Sequence, residues 1–135
     1  MRVVVDTNVL VSALLSPHHA PARVLDMILA GELEPVFDDR ILAEYREVLM
    51  RPKFSFEERS AEDVLAYFER AGMAVVAPPL NVNLPNLDDL MFLEVAATAE
   101  AVLVSGNLRH YPAEQRHGAV VLAPGPFLEH WQEQS

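Results

Sequence analysis

Short β-rich runs alternate with helical stretches along the whole chain, and this alternation constrains the fold more than any other feature. Arg2 to Val5 reads as a buried strand, and Val9 to Leu15 as a helical turn or two, broken by Ser16-Pro17-His18-His19. Pro21 opens a helix to about Ala30 that stops at Gly31. Glu34 to Phe37 is a second strand. Asp38 or Asp39 caps the next helix, whose stripe of Ile41, Leu42, Tyr45, Val48 and Leu49 ends before Pro52. Ser60 with Asp63 predicts a capping box for a helix to Ala71, stopped by Gly72. Ala74 to Ala77 is a third strand, followed by a proline-bearing loop. Asp88 to about Glu100 is a helix with Phe92, Leu93, Val95, Ala96 and Ala99 inward. Ala101 to Val104 and Ala119 to Leu122 complete the strands, and Pro126 to about Gln132 is a short final helix. Strands separated by helices form right-handed βαβ units, so the fold class is α/β with a parallel sheet covered on both faces.

In such sheets, sites form beyond the carboxyl ends of the strands. Asp6 ends the first strand, between two apolar runs, where an uncompensated acid costs several kcal/mol. Asn107 follows the fourth strand, and Asp88 and Asp89 open the helix leading into it. Glu44 lies three residues after Ile41 and four before Val48, on the inward side of its helix. Taken singly, Asp88 or Asp89 reads as an N-cap and Glu44 as a stripe-edge residue. Taken together, these acids repel one another unless they share protons or meet a cation. Oxygen ligands select a hard ion, Mg²⁺ or Mn²⁺, which polarises phosphoryl oxygens and acidifies water.

The bulk properties narrow the classes. The 135 residues match one ordinary domain, and half of them are hydrophobic, enough for a core. No apolar run reaches membrane-spanning length, no signal peptide is evident, and cysteine is absent. A cytoplasmic protein with no membrane association is the expectation. Ten basic against 20 acidic residues argue against a surface that attracts nucleic acid everywhere, though not against a local basic strip.

Asp6-Thr7-Asn8 after a valine strand, ILAEYREVLMRPKF from Ile41 to Phe54, NLDDLMFLEVA from Asn86 to Ala96, and VSGNLRHYP from Val104 to Pro112 occur in that order. Together they resemble the PIN domain family, most closely the toxin components of type II toxin–antitoxin pairs (VapC-like ribonucleases). The resemblance implies one PIN domain over residues 1–135, in a three-layer α/β/α fold whose parallel sheet has the order 3-2-1-4-5. It also implies an Mg²⁺- or Mn²⁺-dependent ribonuclease that leaves 5′-phosphate and 3′-hydroxyl ends.

Carried over by motif, Asp6, Glu44 and Asp89 are the metal acids and catalytic residues, and Asn107 takes the fourth acidic position. An aspartate is commoner there. The amide still ligates through its carbonyl oxygen or holds a water, and Asp88 stands near enough in sequence to replace the lost charge. Thr7, Asn8 and Ser105 are expected to support the acids by hydrogen bonds. Arg40, Arg46, Arg109 and His110 are expected to meet RNA phosphates, with Arg51, Lys53 and Arg116 as further candidates. The expected partners are RNA, an antitoxin and a second copy of the chain. The alternative is a catalytically weak PIN fold that serves as a protein-binding module. A phosphoryl-accepting Asp6 is disfavoured because the phosphatase pattern needs a second acid where Asn8 stands.

Overall fold

The computed structural model describes residues 1–54 and 58–134. The strands are β1 (Arg2–Val5), β2 (Glu34–Phe37), β3 (Met73–Ala74), β4 (Val102–Val104) and β5 (Val121–Leu122). The helices are α1 (Thr7–Leu15), α2 (Ala20–Leu29), α3 (Asp39–Leu49), α4 (Glu58–Ala71), α5 (Leu90–Ala99) and α6 (Pro124–Gln134). All paired strands run parallel, in the order β3-β2-β1-β4-β5, as the family resemblance implied. Helices flank the sheet: α5 lies on β1, β2 and β4, α4 on β2 and β3, and α2 packs between α1 and α6.

β1 is central because its three valines are apolar on both faces. Val3, Val4 and Val5 are buried and align with Val102, Leu103 and Val104 of β4. On the other side Arg2 and Val3 align with Glu34 and Pro35. This register brings the ends of β1 and β4 level, so Asp6 and Ser105 leave the sheet side by side.

Several expected boundaries shift: α1 begins at Thr7 rather than Val9, β5 at Val121 rather than Ala119, and four others follow. β3 is shorter than Ala74 to Ala77: Val75 N–H still donates to the Phe37 carbonyl at 2.9 Å, but Val76 is 94% exposed. Pro78 and Pro79 then remove two donors, and the chain leaves the sheet. α4 begins at Glu58, so Ser60 and Asp63 lie inside the helix and do not cap it. α6 begins at Pro124 rather than Pro126, because a proline is well suited to a first helical turn. α5 begins at Leu90 rather than Asp88, after a 3₁₀ turn over Leu87–Asp89 whose cap is Asn86, which accepts from Asp88 N–H at 2.9 Å. Asp38 does cap α3, accepting from Ile41 N–H at 3.0 Å.

The core joins both sides of the sheet. Tyr45 of α3 is fully buried, edge-on to Phe68 of α4 and tilted against Phe92 of α5. Its hydroxyl donates to the Val5 carbonyl, tying α3 to the end of β1 just before Asp6.

Candidate functional site

Asp6 occupies the N-cap position of α1 with extended backbone, yet its side chain makes no cap bond. Its backbone N–H continues the ladder to the Val104 carbonyl at 2.9 Å. Its carboxylate is 4% exposed, and Oδ2 accepts two hydroxyls, Ser105 Oγ at 2.9 Å and Tyr111 OH at 2.8 Å. Those bonds offset the desolvation of an acid placed between apolar runs.

Glu44 projects from α3 towards the same strand ends. Thr7 Oγ1 donates to Glu44 Oε2, so the first residue of α1 supports the acid of α3 and not its neighbour Asp6. Asn8 points elsewhere: its Oδ1 accepts the Gly106 N–H at 3.0 Å and fixes the turn after β4. A Cβ at Gly106 would lie 3.2 Å from that oxygen. Ser105, fully buried, both donates to Asp6 and accepts the Asn107 N–H at 3.0 Å.

Asp89 is buried at the start of α5 and likewise makes no cap bond. His110 Nδ1 lies 2.7 Å from Asp89 Oδ2, but out of line for N–H donation, so among the described residues this buried oxygen has no aligned donor. Asn107 Nδ2 lies 2.9 Å from His110 Nε2, which holds the ring in place. The Asn107 amide nitrogen is therefore turned to histidine. Asp88 is exposed, and lines an open groove of about 350 Å³ with Arg40, Glu44, Leu87, Leu90 and Met91.

The acids sense one another. Burial, with the charge of Asp6 adding to it and His110 partly opposing it, raises the Asp89 carboxyl to about 6. Burial likewise raises Glu44; the Thr7 bond opposes this, while Asp6 and Asp88 add to it. Asp6, Glu44 and Asp89 thus come together from the end of β1, from α3 and from the start of α5, with Asp88 at the rim. Among the described residues no three acidic or histidine side chains are gathered closely enough to cage a metal ion. Mg²⁺ does not require a cage, since it keeps several waters and uses one or two carboxylates. The all-oxygen donors, the buried Asp89 oxygen without an aligned donor and the mutual repulsion of the acids fit such a hydrated hard cation.

The basic candidates are mostly engaged with acids. Arg40 contacts Asp38 Oδ2 at 2.7 Å and Glu94 Oε1 at 2.8 Å. Arg46 pairs with Glu69 at 3.2 Å, and Arg51 with Glu47 at 2.8 Å. Lys53 Nζ stands 5.1 Å from the Phe54 ring centre, and Arg116 Nε donates to the Tyr111 carbonyl at 2.8 Å. Arg109 is exposed on the 3₁₀ turn beside His110.

Sequence reasoning missed two residues. Tyr111 sits inside the quoted VSGNLRHYP stretch, but nothing local says that its hydroxyl reaches Asp6, 105 positions away. Glu94 interrupts the apolar FLEVA run, the same kind of signal that singled out Glu44. It is 3% exposed and accepts from Arg40 and from Leu80 N–H at 2.8 Å.

Comparisons with known proteins agree with this architecture. The PIN domain family model matches residues 2–109. An uncharacterised protein of Methanocaldococcus jannaschii is 29% identical over 111 residues, covering 79% of this chain and 71% of its own. Among solved structures, FitAcB from Neisseria gonorrhoeae matches with a TM-score of 0.60 at 16% identity, over 91% of this chain and 98% of that one. VapBC2 from Rickettsia felis, bound to a DNA fragment from its promoter, matches with a TM-score of 0.55 at 17% identity, over 90% of this chain and 97% of that one. The family model spans well over half the sequence, and on that ground the chain belongs to the PIN domain family.

Proposed function

We propose that this chain acts as a single PIN domain over residues 1–135, a divalent-cation-dependent ribonuclease and the toxin of a toxin–antitoxin pair. One observation carries the reading: carboxylates from three separate elements face the region beyond the ends of β1 and β4, where burial raises the pKa of Glu44 and Asp89 and the charge of Asp6 adds to both. Structural likeness to VapBC2 and FitAcB, together with the family match, supports it.

Asp6, Glu44 and Asp89 would hold Mg²⁺ or Mn²⁺, with Asp88 and Asn107 at the margin. When bound, such a cation polarises a phosphodiester and acidifies water for its hydrolysis. The chain's own residues prepare that site. Ser105 and Tyr111 hold Asp6, Thr7 holds Glu44, and Asn107 holds His110 against Asp89. Arg109, exposed beside His110, is the basic group best placed to meet phosphate, while both ring nitrogens of His110 are engaged by Asn107 and Asp89. An acid-lined groove with the exposed Leu87 on its edge suits an antitoxin arm carrying a basic residue beside an apolar one. A homodimer is the expected assembly.

The test is Asp6→Asn. Asparagine keeps an oxygen to accept both hydroxyls, so the fold survives while the charge is lost. Calorimetric Mn²⁺ binding and cleavage of a mixed single-stranded RNA should both disappear. A variant that cuts RNA as fast as the parent refutes the reading. A second reading, a PIN fold that only binds a partner, is favoured by the Asn107 amide facing His110 and by the lack of a closed cage among the described residues. A parent protein that does not bind Mn²⁺ would establish it.

A further inference from the structure

Of the three site acids Asp6 accepts the most hydrogen bonds, and the manner of its holding bears on which cation the site would take. Both donors fall on one oxygen. Ser105 Oγ and Tyr111 OH each donate to Oδ2, at 2.9 and 2.8 Å, and together they use the two lone pairs of that atom. No side-chain donor bonds Oδ1 among the described residues. Ser105 is fully buried at the end of β4, and its Oγ is fixed in turn by the Asn107 N–H. Tyr111 is also fully buried. Its N–H closes the 3₁₀ turn onto the Leu108 carbonyl at 3.0 Å, and its own carbonyl accepts Arg116 Nε at 2.8 Å. The phenol is thus anchored at backbone and ring, and its hydroxyl is aimed at one carboxylate oxygen.

We infer that Tyr111, acting with Ser105, is a specificity-setting positioning residue: it occupies Asp6 Oδ2, leaves Oδ1 as the single ligating oxygen, and so selects a small octahedral cation over Ca²⁺. The inference rests on the cation-site reading proposed above. The physical reason is the difference between the ions. Ca²⁺ takes six to eight oxygens and readily accepts both oxygens of one carboxylate, whereas Mg²⁺ and Mn²⁺ favour six-coordinate sites with one oxygen from each carboxylate. A carboxylate with one oxygen blocked cannot offer the bidentate grip that favours the larger ion.

The experiment compares Mn²⁺ and Ca²⁺ binding by calorimetry in the full chain and in Tyr111→Phe, with Ser105→Ala as a second variant. Phenylalanine keeps the buried ring, and urea unfolding of each variant checks that the fold is retained. In the parent Mn²⁺ should bind more tightly than Ca²⁺. In Tyr111→Phe Mn²⁺ should weaken by about tenfold, the lower end of the usual loss when a group supporting a metal ligand is removed, while Ca²⁺, regaining both oxygens of Asp6, weakens less, so the ratio of the two affinities narrows. Ser105→Ala should move the ratio in the same direction. Equal weakening of both ions would mean that Tyr111 only supports the fold, and an unchanged ratio would mean that it does nothing for selection; either overturns the inference and leaves the cation site standing. A parent that binds neither ion overturns the cation site itself.

Discussion

Arg40→Met tests whether the buried carboxylates beside the site are held by charge. Glu94 is 3% exposed and the Asp38 side chain 9%, and Arg40 bonds both with separate nitrogens. Burial works against the guanidinium charge, but its bonds to Asp38 and Glu94 outweigh that and raise its pKa. Methionine keeps most of the side-chain volume and leaves two acids without their cation. Stripping one partner from a fully buried pair costs about 3–5 kcal/mol. Two features reduce that here. The Arg40 side chain is 48% exposed, so water replaces part of it, and each acid retains a backbone donor, Ile41 N–H at 3.0 Å and Leu80 N–H at 2.8 Å. The expected loss is about 2 kcal/mol, or roughly 6–10 °C in Tm for a chain of this size. Urea unfolding at pH 7 measures it. Adding Glu94→Gln to Arg40→Met should recover about 1 kcal/mol, since the amide carries no charge to strand. A single variant within about 0.5 kcal/mol of the parent would refute the reasoning and make Arg40 an ordinary surface cation, free to meet RNA.

Two further changes probe the acids and the frame. Asp89 keeps its proton to about pH 6 in the folded protein, whereas an ordinary aspartate titrates at 3.8, so the unfolded chain ionises first. Stability from this group is therefore lost as pH rises between those two values, and the loss is complete above them. Asp89→Asn should raise the stability of the metal-free protein by about 1–3 kcal/mol at pH 7 and leave it unchanged near pH 3.5, as read by urea midpoints across pH. A variant with the same pH profile as the parent would show that the carboxyl is not perturbed. Gly72→Ala should cost about 1–3 kcal/mol in the same assay, because a Cβ there would sit 2.5 Å from the Pro35 carbonyl oxygen and 2.6 Å from that of Phe68. A neutral result would mean that the junction between α4 and β3 relaxes freely.

The sequence by itself determined the features whose causes are local. Three valines set β1, the Asp38 side chain capped α3, and the spacing of Ile41, Tyr45 and Leu49 set the buried face that carries Glu44. Alternation of strand and helix was enough for a parallel sheet, and the position of Asp6 at a strand end was enough to mark a candidate site. The Thr7 and Ser105 hydroxyls were legible as supports for the acids, but which acid each one holds, and the part of Tyr111, were not. Asp6 meets Ser105 and Tyr111 across 99 and 105 positions, Glu44 meets Thr7 across 37, and Glu94 meets Arg40 across 54. Local patterns carry backbone preference and burial periodicity, which act over a few residues. Pairings at these separations exist only once the register of β1 against β4 has brought their ends level, and so tertiary structure alone decided how each acid is held.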